Sequence, residues 1–183
     1  MNNSNPFTGE HTPVISASDG SGKFGIRQGG LGLVKDKSYQ GRIILAGDEA
    51  VLPVNIHLLS RANESIKITV NEISSNYTSY PLNFSSTFDC DSAVLEIFSE
   101  GQGKFSIGTV SLMPSDNIKG WRKDVVGLMK ELNAPVYRWP GGNFVSGYNW
   151  KDGIGDRDRR PPRKNPAWKG VEHNDVGIHE YMD

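Results

Sequence analysis

The chain has a single cysteine among its 183 residues, Cys90. That excludes an internal disulfide framework and a multi-cysteine metal cluster, and leaves a buried or idle thiol. Net charge is also missing: 20 Lys+Arg stand against 21 Asp+Glu, so no global field draws in nucleic acid or an acidic membrane. No run approaches the ~18 consecutive apolar residues of a membrane span. The N-terminus, MNNSNPFTGEHTP, has neither a basic n-region nor an apolar h-region. These absences predict a water-soluble chain that carries no visible address and binds through a local site. His11, His57, His173 and His179 share no metal-ligand spacing, and no Walker loop, His-Glu-x-x-His or Gly-x-Ser-x-Gly occurs. No metal and no cofactor are expected. Tryptophan is absent before Trp121, and all four tryptophans fall in the last third.

What is present divides into two patterns. From about Phe24 to Leu112, short β-branched and aromatic segments alternate with Gly, Asp, Asn and Ser clusters, the punctuation of an all-β domain. The clearest strand is SIKITVN, with Ile66, Ile68 and Val70 facing a core while Lys67, Thr69 and Asn71 face water. Further candidates cover 39–46, 50–59, 92–98 and 104–112, and Pro53 suggests an edge position or a bulge in its strand. About eight strands fit, which predicts a sandwich.

After MPSDN the period changes. Ile118, Trp121, Val125, Leu128 and Leu132 recur at intervals of three and four, predicting a helix from about Asn117 to Leu132 with one apolar face that includes Trp121. Ser115, Asp116 or Asn117 can cap it, and Asn133-Ala134-Pro135 stops it. PVYRW then reads as a short strand ended by Pro140-Gly141-Gly142. The stretch onward to Trp168 has no periodicity, and a loop this long in a compact domain is functional or disordered. NDVGIHEYMD reads as the beginning of a helix capped near Asn174 or Asp175.

Chemistry-bearing residues cluster at that junction. Arg138, at the end of a strand before a tight glycine turn, can hold a carboxylate bidentately and keep it ionised. The alternative is an arginine that salts a surface loop. Gly141 and Gly142 permit close approach of a ligand, or make an ordinary turn. Asn143 offers a donor and an acceptor suited to a sugar hydroxyl, and is also a common turn residue. Trp139, Trp150 and Trp168 flank the loop, where indole faces stack on sugar rings. The basic run Arg157, Arg159, Arg160, Arg163 and Lys164 is interleaved with Asp156 and Asp158 and stiffened by Pro161-Pro162. It reads as a solvated or ion-paired loop and not as an RNA-binding patch.

The stretch from SLMPSDN to NDVG, and above all RWPGGNFVSGYNW and DGIGDRDRRPPR with its following AW, VE and ND, closely resembles the family 51 glycoside hydrolases, the α-L-arabinofuranosidases, over about 70 residues. The β region, with GIRQGGLGL and YQGRIILAG, more loosely resembles the jelly roll, like a carbohydrate-binding module, inserted in some members. The resemblance implies a β-sandwich over 1–112, followed over 113–183 by an incomplete part of a (β/α)8 TIM barrel whose second strand ends at Arg138. It implies retaining hydrolysis of terminal α-L-arabinofuranosyl groups from an arabinose-containing plant polysaccharide or oligosaccharide. No nucleic acid or membrane partner is implied, and homo-oligomerisation of the parent stays open. Arg138 would orient and keep charged the nucleophilic glutamate, Asn143 would bond an arabinose hydroxyl, and Trp168 would contact the sugar.

Retaining glycosidases need two carboxyls about 5–5.5 Å apart. In the family both are glutamates on later barrel strands, so no catalytic residue is assigned here and both are expected beyond Asp183. Asn63-Glu64 and Asn71-Glu72 lie in the β region, and Glu172 lies in the loop motif. The chain therefore reads as an inactive fragment of an arabinofuranosidase. The alternatives are a stand-alone, non-catalytic glycan-binding module and a different sugar hydrolase on the same barrel. By analogy with polymer-degrading members, and with the sequons Asn63-Glu64-Ser65, Asn76-Tyr77-Thr78 and Asn83-Phe84-Ser85, an exported parent is expected.

Overall fold

A computed structural model of the chain describes residues 1–17, 22–165 and 167–182. It separates into two compact units.

The first unit comprises Met1–Asn5 and His11–Ser115. Its strands are β1 (Val14–Ser16), β2 (Phe24–Leu33), β3 (Ser38–Gly47), β4 (Val54–Leu59), β5 (Ser65–Val70), β6 (Thr78–Pro81), β7 (Phe84–Ser85), β8 (Cys90–Ser99) and β9 (Lys104–Pro114). They form two antiparallel sheets, β1-β9-β3-β6 with β7 also on β3, and β2-β8-β4-β5. Alternation decides the faces. In β4, Val54, Ile56 and Leu58 are buried while Asn55 and His57 point away from the core, and β5 turns Ile66, Ile68 and Val70 inward as its period predicts. Ile43, Leu45, Ala93, Leu95, Ile97 and Phe105 complete the core. Each such aliphatic side chain contributes about 1.5–3 kcal/mol by leaving water.

Pro53 does not mark an edge or a bulge. It stands just ahead of β4, which runs between β8 and β5. The ladder starts at Val54, paired with both Ser99 and Val70, so the missing proline N–H falls where no sheet bond is required.

The second unit comprises Pro6–Glu10 and Asp116–Asp183. Its regular elements are α1 (Lys123–Leu132), β10 (Arg163–Lys164), β11 (Val171–Glu172) and α2 (Ile178–Met182), with single 3₁₀ turns at Gly142–Gly147, Trp150–Gly153 and Arg157–Arg159. The N-terminal segment joins it through Phe7. That ring is buried under the Arg159 guanidinium, 3.9 Å away, and Thr8 Oγ1 donates to the Arg159 carbonyl at 2.9 Å.

Two expectations fail here for local reasons. The helix starts six residues later than its apolar period suggests, because Lys119 and Gly120 both take positive φ and close a two-residue hairpin in which Ile118 and Trp121 exchange backbone hydrogen bonds. Two successive positive-φ residues are the signature of a tight hairpin turn and are incompatible with a helix. Trp121 therefore precedes α1 and does not lie on its apolar face. Its indole Nε1 donates instead to the Glu180 carbonyl at 3.2 Å. Asn133 does end the helix, in the left-handed conformation.

The strand expected at PVYRW is absent. Residues 135–139 pair with no neighbour among the described residues, and Val136 is 77% exposed. A parallel barrel strand is defined by backbone bonds to strands on either side, so this sequence has β character without a ladder to join. The barrel part of the expected fold is not formed by the second unit. The structure is β-rich overall.

Candidate functional site

Pro140-Gly141-Gly142 sets the geometry of the RWPGGNF turn. Gly141 and Gly142 have φ of 69° and 59°, where a side chain would be strained. The Arg138 side chain folds back over this turn: its Nη2 would come within 3.9 Å of a Cβ placed on Gly141. Arg138 and Asn143 are both exposed, and among the described residues neither side chain is hydrogen-bonded. Both groups are thus displayed from one turn and uncommitted.

Trp139 points the other way. Its ring lies edge-on to Tyr148 at 5.3 Å and stacks at 5.9 Å on Tyr181, with Phe144 at 4.8 Å from Tyr148. It anchors the turn through an aromatic cluster and is not available for stacking on a ligand. Trp150 and Trp168 remain exposed, at 52% and 67%.

Trp168 stands on a separate element. β10 and β11 form a short antiparallel hairpin, Arg163 opposite Glu172 and Lys164 opposite Val171. At its tip the Asn165 Oδ1 accepts from the backbone N–H groups of Ala167 and Trp168 at 3.0 and 2.7 Å. This side chain closes the turn and fixes where the indole emerges. No hydrogen bond or ring contact joins Trp168 to Arg138 or Asn143 among the described residues.

The basic run is ion-paired. Arg163 holds Asp152 at 2.9 and 3.3 Å. Arg160 is buried and grips both oxygens of Glu180, at 2.8 and 2.9 Å. The same guanidinium donates to the carbonyls of Gly155 and Asn174 at 2.9 Å each. Glu180 also accepts from the Gly177 N–H at 2.8 Å, at the start of α2. That contact, and not Asn174 or Asp175, closes the helix N-terminus. The Arg160 hydrogen bonds hold the Glu180 carboxyl down at about 2, helped by the Gly177 N–H against the opposing effect of burial.

Beside this pair an open cleft of about 310 Å³ is lined by Phe144, Tyr148, Asp152, Arg163, Glu172 and Asn174, among others. Two of its carboxylates have partners, Asp152 in Arg163 and Glu172 in the Asn174 N–H at 3.1 Å, and Lys164 also lines it. Burial, then the nearby Glu172, pushes the Tyr148 hydroxyl above its ordinary value, so it stays neutral. Both oxygens of Glu180 are thus held, whereas Glu172 accepts a single backbone bond. Among the described residues no three His, Cys, Asp or Glu side chains converge as a metal site.

Sequence reasoning missed three members of this arrangement. Arg160 was visible only as one of a basic run, and Glu180, twenty residues away, had no local signal to name it as the partner. Asn174 is 1% exposed with φ of 59°, which its place in a VE.ND motif did not announce.

Comparison with known proteins falls on the same residues. The α-L-arabinofuranosidase 1 domain model matches residues 128–183. The intracellular exo-α-(1→5)-L-arabinofuranosidase of Halalkalibacterium halodurans is 50% identical over 70 residues, 38% of this chain and 14% of that protein. The enzyme of the same name from Acetivibrio thermocellus is 58% identical over 62 residues, 34% and 12% of the two chains. The exo-α-(1→6)-L-arabinofuranosidase of Bifidobacterium longum is 55% identical over 67 residues, 37% and 13%. The aligned stretch is thus about one seventh of each relative's length. In three dimensions, an arabinose-bound family 51 α-L-arabinofuranosidase, MgGH51, matches 98% of this chain and 33% of its own with a TM-score of 0.78 at 18% identity, a likeness of fold. The expectation of an exported parent is overturned, since two of these relatives are named intracellular; sequons of three residues arise by chance and carry little weight against that. The C-terminal third of the chain is thus similar in sequence to the α-L-arabinofuranosidases, and it carries the residues matched by their domain model.

Proposed function

We propose that this chain supplies part of the substrate site of an α-L-arabinofuranosidase that removes terminal α-L-arabinofuranosyl groups from arabinan- or arabinoxylan-type chains with retention of configuration. One observation carries the reading. Among the described residues every strongly exposed aromatic side chain, Tyr137, Trp150 and Trp168, lies in the second unit, the unit whose RWPGGNF turn displays an uncommitted arginine and asparagine. An indole face for the sugar ring, an amide for its hydroxyls and a guanidinium for a carboxylate are the groups such a site needs.

In this reading Arg138 orients the nucleophilic glutamate and keeps it ionised, Asn143 bonds an arabinose hydroxyl, and Trp168 contacts the ring from the hairpin. Residues 1–112 form a sandwich like a carbohydrate-binding module, and residues 113–183 correspond in sequence to the stretch of a (β/α)8 barrel around its second strand, a strand that pairs only when its barrel neighbours are present. The two catalytic glutamates, about 5–5.5 Å apart in a retaining enzyme, are contributed by sequence other than these 183 residues. Glu180 is held by Arg160.

A stand-alone glycan-binding sandwich is less well supported. On the outer face of β2-β8-β4-β5 the one aromatic ring, Phe98, is covered by the Lys23 ammonium 3.8 Å from its centroid and by the His57 ring at 4.9 Å. Among the described residues of that face, the Phe98 ring is therefore not open to a sugar.

The test is hydrolysis of 4-nitrophenyl α-L-arabinofuranoside by the purified 183-residue chain and by the complete open reading frame recovered from its source. Turnover by the longer protein alone is expected. Turnover by neither would sink the activity, and turnover by the short chain would sink the placement of the carboxylates.

A further inference from the structure

We infer that Arg160 is a positioning residue whose guanidinium sets the hairpin that presents Trp168. The inference rests on the reading of Trp168 as a sugar contact, and deepens it. The hairpin has two stems, one leaving Arg160-Pro161 and one returning at Asn174. Arg160 Nη1 donates to the Asn174 carbonyl at 2.9 Å, and Asn174 Nδ2 donates to the Pro161 carbonyl at 2.8 Å, so the stems are clasped in both directions at their base.

The clasp is itself anchored. The remaining Arg160 donors reach the Gly155 carbonyl at 2.9 and 3.3 Å and the two Glu180 oxygens, which ties the base of the hairpin to the preceding loop and to α2 at once. Its side chain is 2% exposed and that of Glu180 14%. A buried, bidentate pair of this kind has one satisfactory geometry, because any shift leaves a charge or a carbonyl unpaired in a poor solvent. Lysine keeps the charge but not the fork.

The hairpin has little else to fix it. Its stem is two residues per strand, its tip is closed by Asn165, whose N–H also donates to the Gly170 carbonyl, and among the described residues its further side-chain ties are Arg163 with Asp152, in which the arginine is exposed, and Glu172 with the Asn174 N–H. Two-residue ladders are not stable alone. The direction in which Trp168 emerges is therefore decided at the base, and Arg160 acts on the sugar through the indole and touches no substrate.

Two measurements test this. In the 183-residue chain, Arg160→Lys should raise amide hydrogen exchange across Lys164–Glu172 by about tenfold while α1 amides keep their wild-type rates. Glu180→Gln, which retains an acceptor for Gly177, should do the same more weakly and serves if Arg160→Lys fails to fold. Exchange that is unchanged in the hairpin, or that rises equally in α1, overturns the inference. In the full-length protein, Arg160→Lys should raise KM for the arabinofuranoside about five- to tenfold with kcat within about twofold, and should add less than about twofold to KM in a Trp168→Ala background. Additive effects on KM overturn it. Should the wild-type parent fail to hydrolyse the arabinofuranoside, the functional reading falls and the exchange experiment alone decides whether Arg160 sets the hairpin.

Discussion

Gly153 and Gly177 meet backbone to backbone, so closely that a Cβ built on either glycine would stand 3.0 Å from the other's Cα and nearer still to other atoms. Both are buried. Gly177→Ala forces the Trp150–Gly153 turn away from the start of α2, where Glu180 receives the Gly177 N–H. Overpacking of this kind costs about 1–3 kcal/mol. Chemical denaturation followed by tryptophan fluorescence, all four tryptophans being in the second unit, should show the loss there, with the β-sandwich transition by circular dichroism unmoved.

Acid should loosen the second unit within a defined window. Glu180 is held at about 2 in the fold against 4.5 when free, chiefly by Arg160. Its lowered value means the charged form is favoured on folding, so the stabilisation is fully present above about pH 4.5 and is lost as pH falls toward 2. The linkage is on the order of 3 kcal/mol. Glu180→Gln should be less stable at pH 7 and nearly flat through that window. A wild-type unfolding curve with no dependence between pH 4.5 and 2 contradicts this.

Tyr148→Phe is expected to be harmless or mildly stabilising, by up to about 1 kcal/mol, since a buried hydroxyl without a partner carries a desolvation penalty and returns no bond. The Tyr148 hydroxyl is such a group, and its ring contacts with Trp139 and Phe144 survive the change. A thermal melt that falls by several degrees would point to a hydrogen bond for this hydroxyl.

Arg138→Lys separates charge from fork. The guanidinium is uncommitted and exposed within this chain, so the melting temperature should not change. On the proposed role of Arg138, in which its fork holds the nucleophilic carboxylate, the substitution should lower kcat of the full-length protein by about 10–10³-fold while KM moves little. An unchanged kcat removes Arg138 from the site.

The sandwich was legible because period two survives in individual strands: Ile66, Ile68 and Val70 alternate with polar residues in sequence and are turned inward in the structure. Pro53 was misread because a proline just before a ladder and one inside it look alike in sequence; only the pairing of Val54 with two neighbours separates them. The start of α1 was misread because two residues, Lys119 and Gly120, overrode an apolar spacing that otherwise fits a helix. At the site, Arg138, Asn143 and Trp168 could be singled out by residue type and motif, whereas the pairing of Arg160 with Glu180 depends on the path of the chain between them. Local pattern reaches a few residues, and this bond joins groups twenty apart.

Phe7 lies in the second unit although about a hundred residues of sandwich separate it from the rest of that unit. Its partner, Arg159, is 152 residues further on. On a ribosome, which adds residues one at a time, Phe7 therefore waits for its contact until Arg159 has been made. The sandwich strands have all been synthesised well before Arg159 exists, so Pro6–Glu10 stays without its contact while the residues on either side of it, Asn2 and Thr12 among them, already pair within the β unit. A bulky insertion within Pro6–Glu10 would therefore compete with the docking of Phe7 in a way that one elsewhere does not.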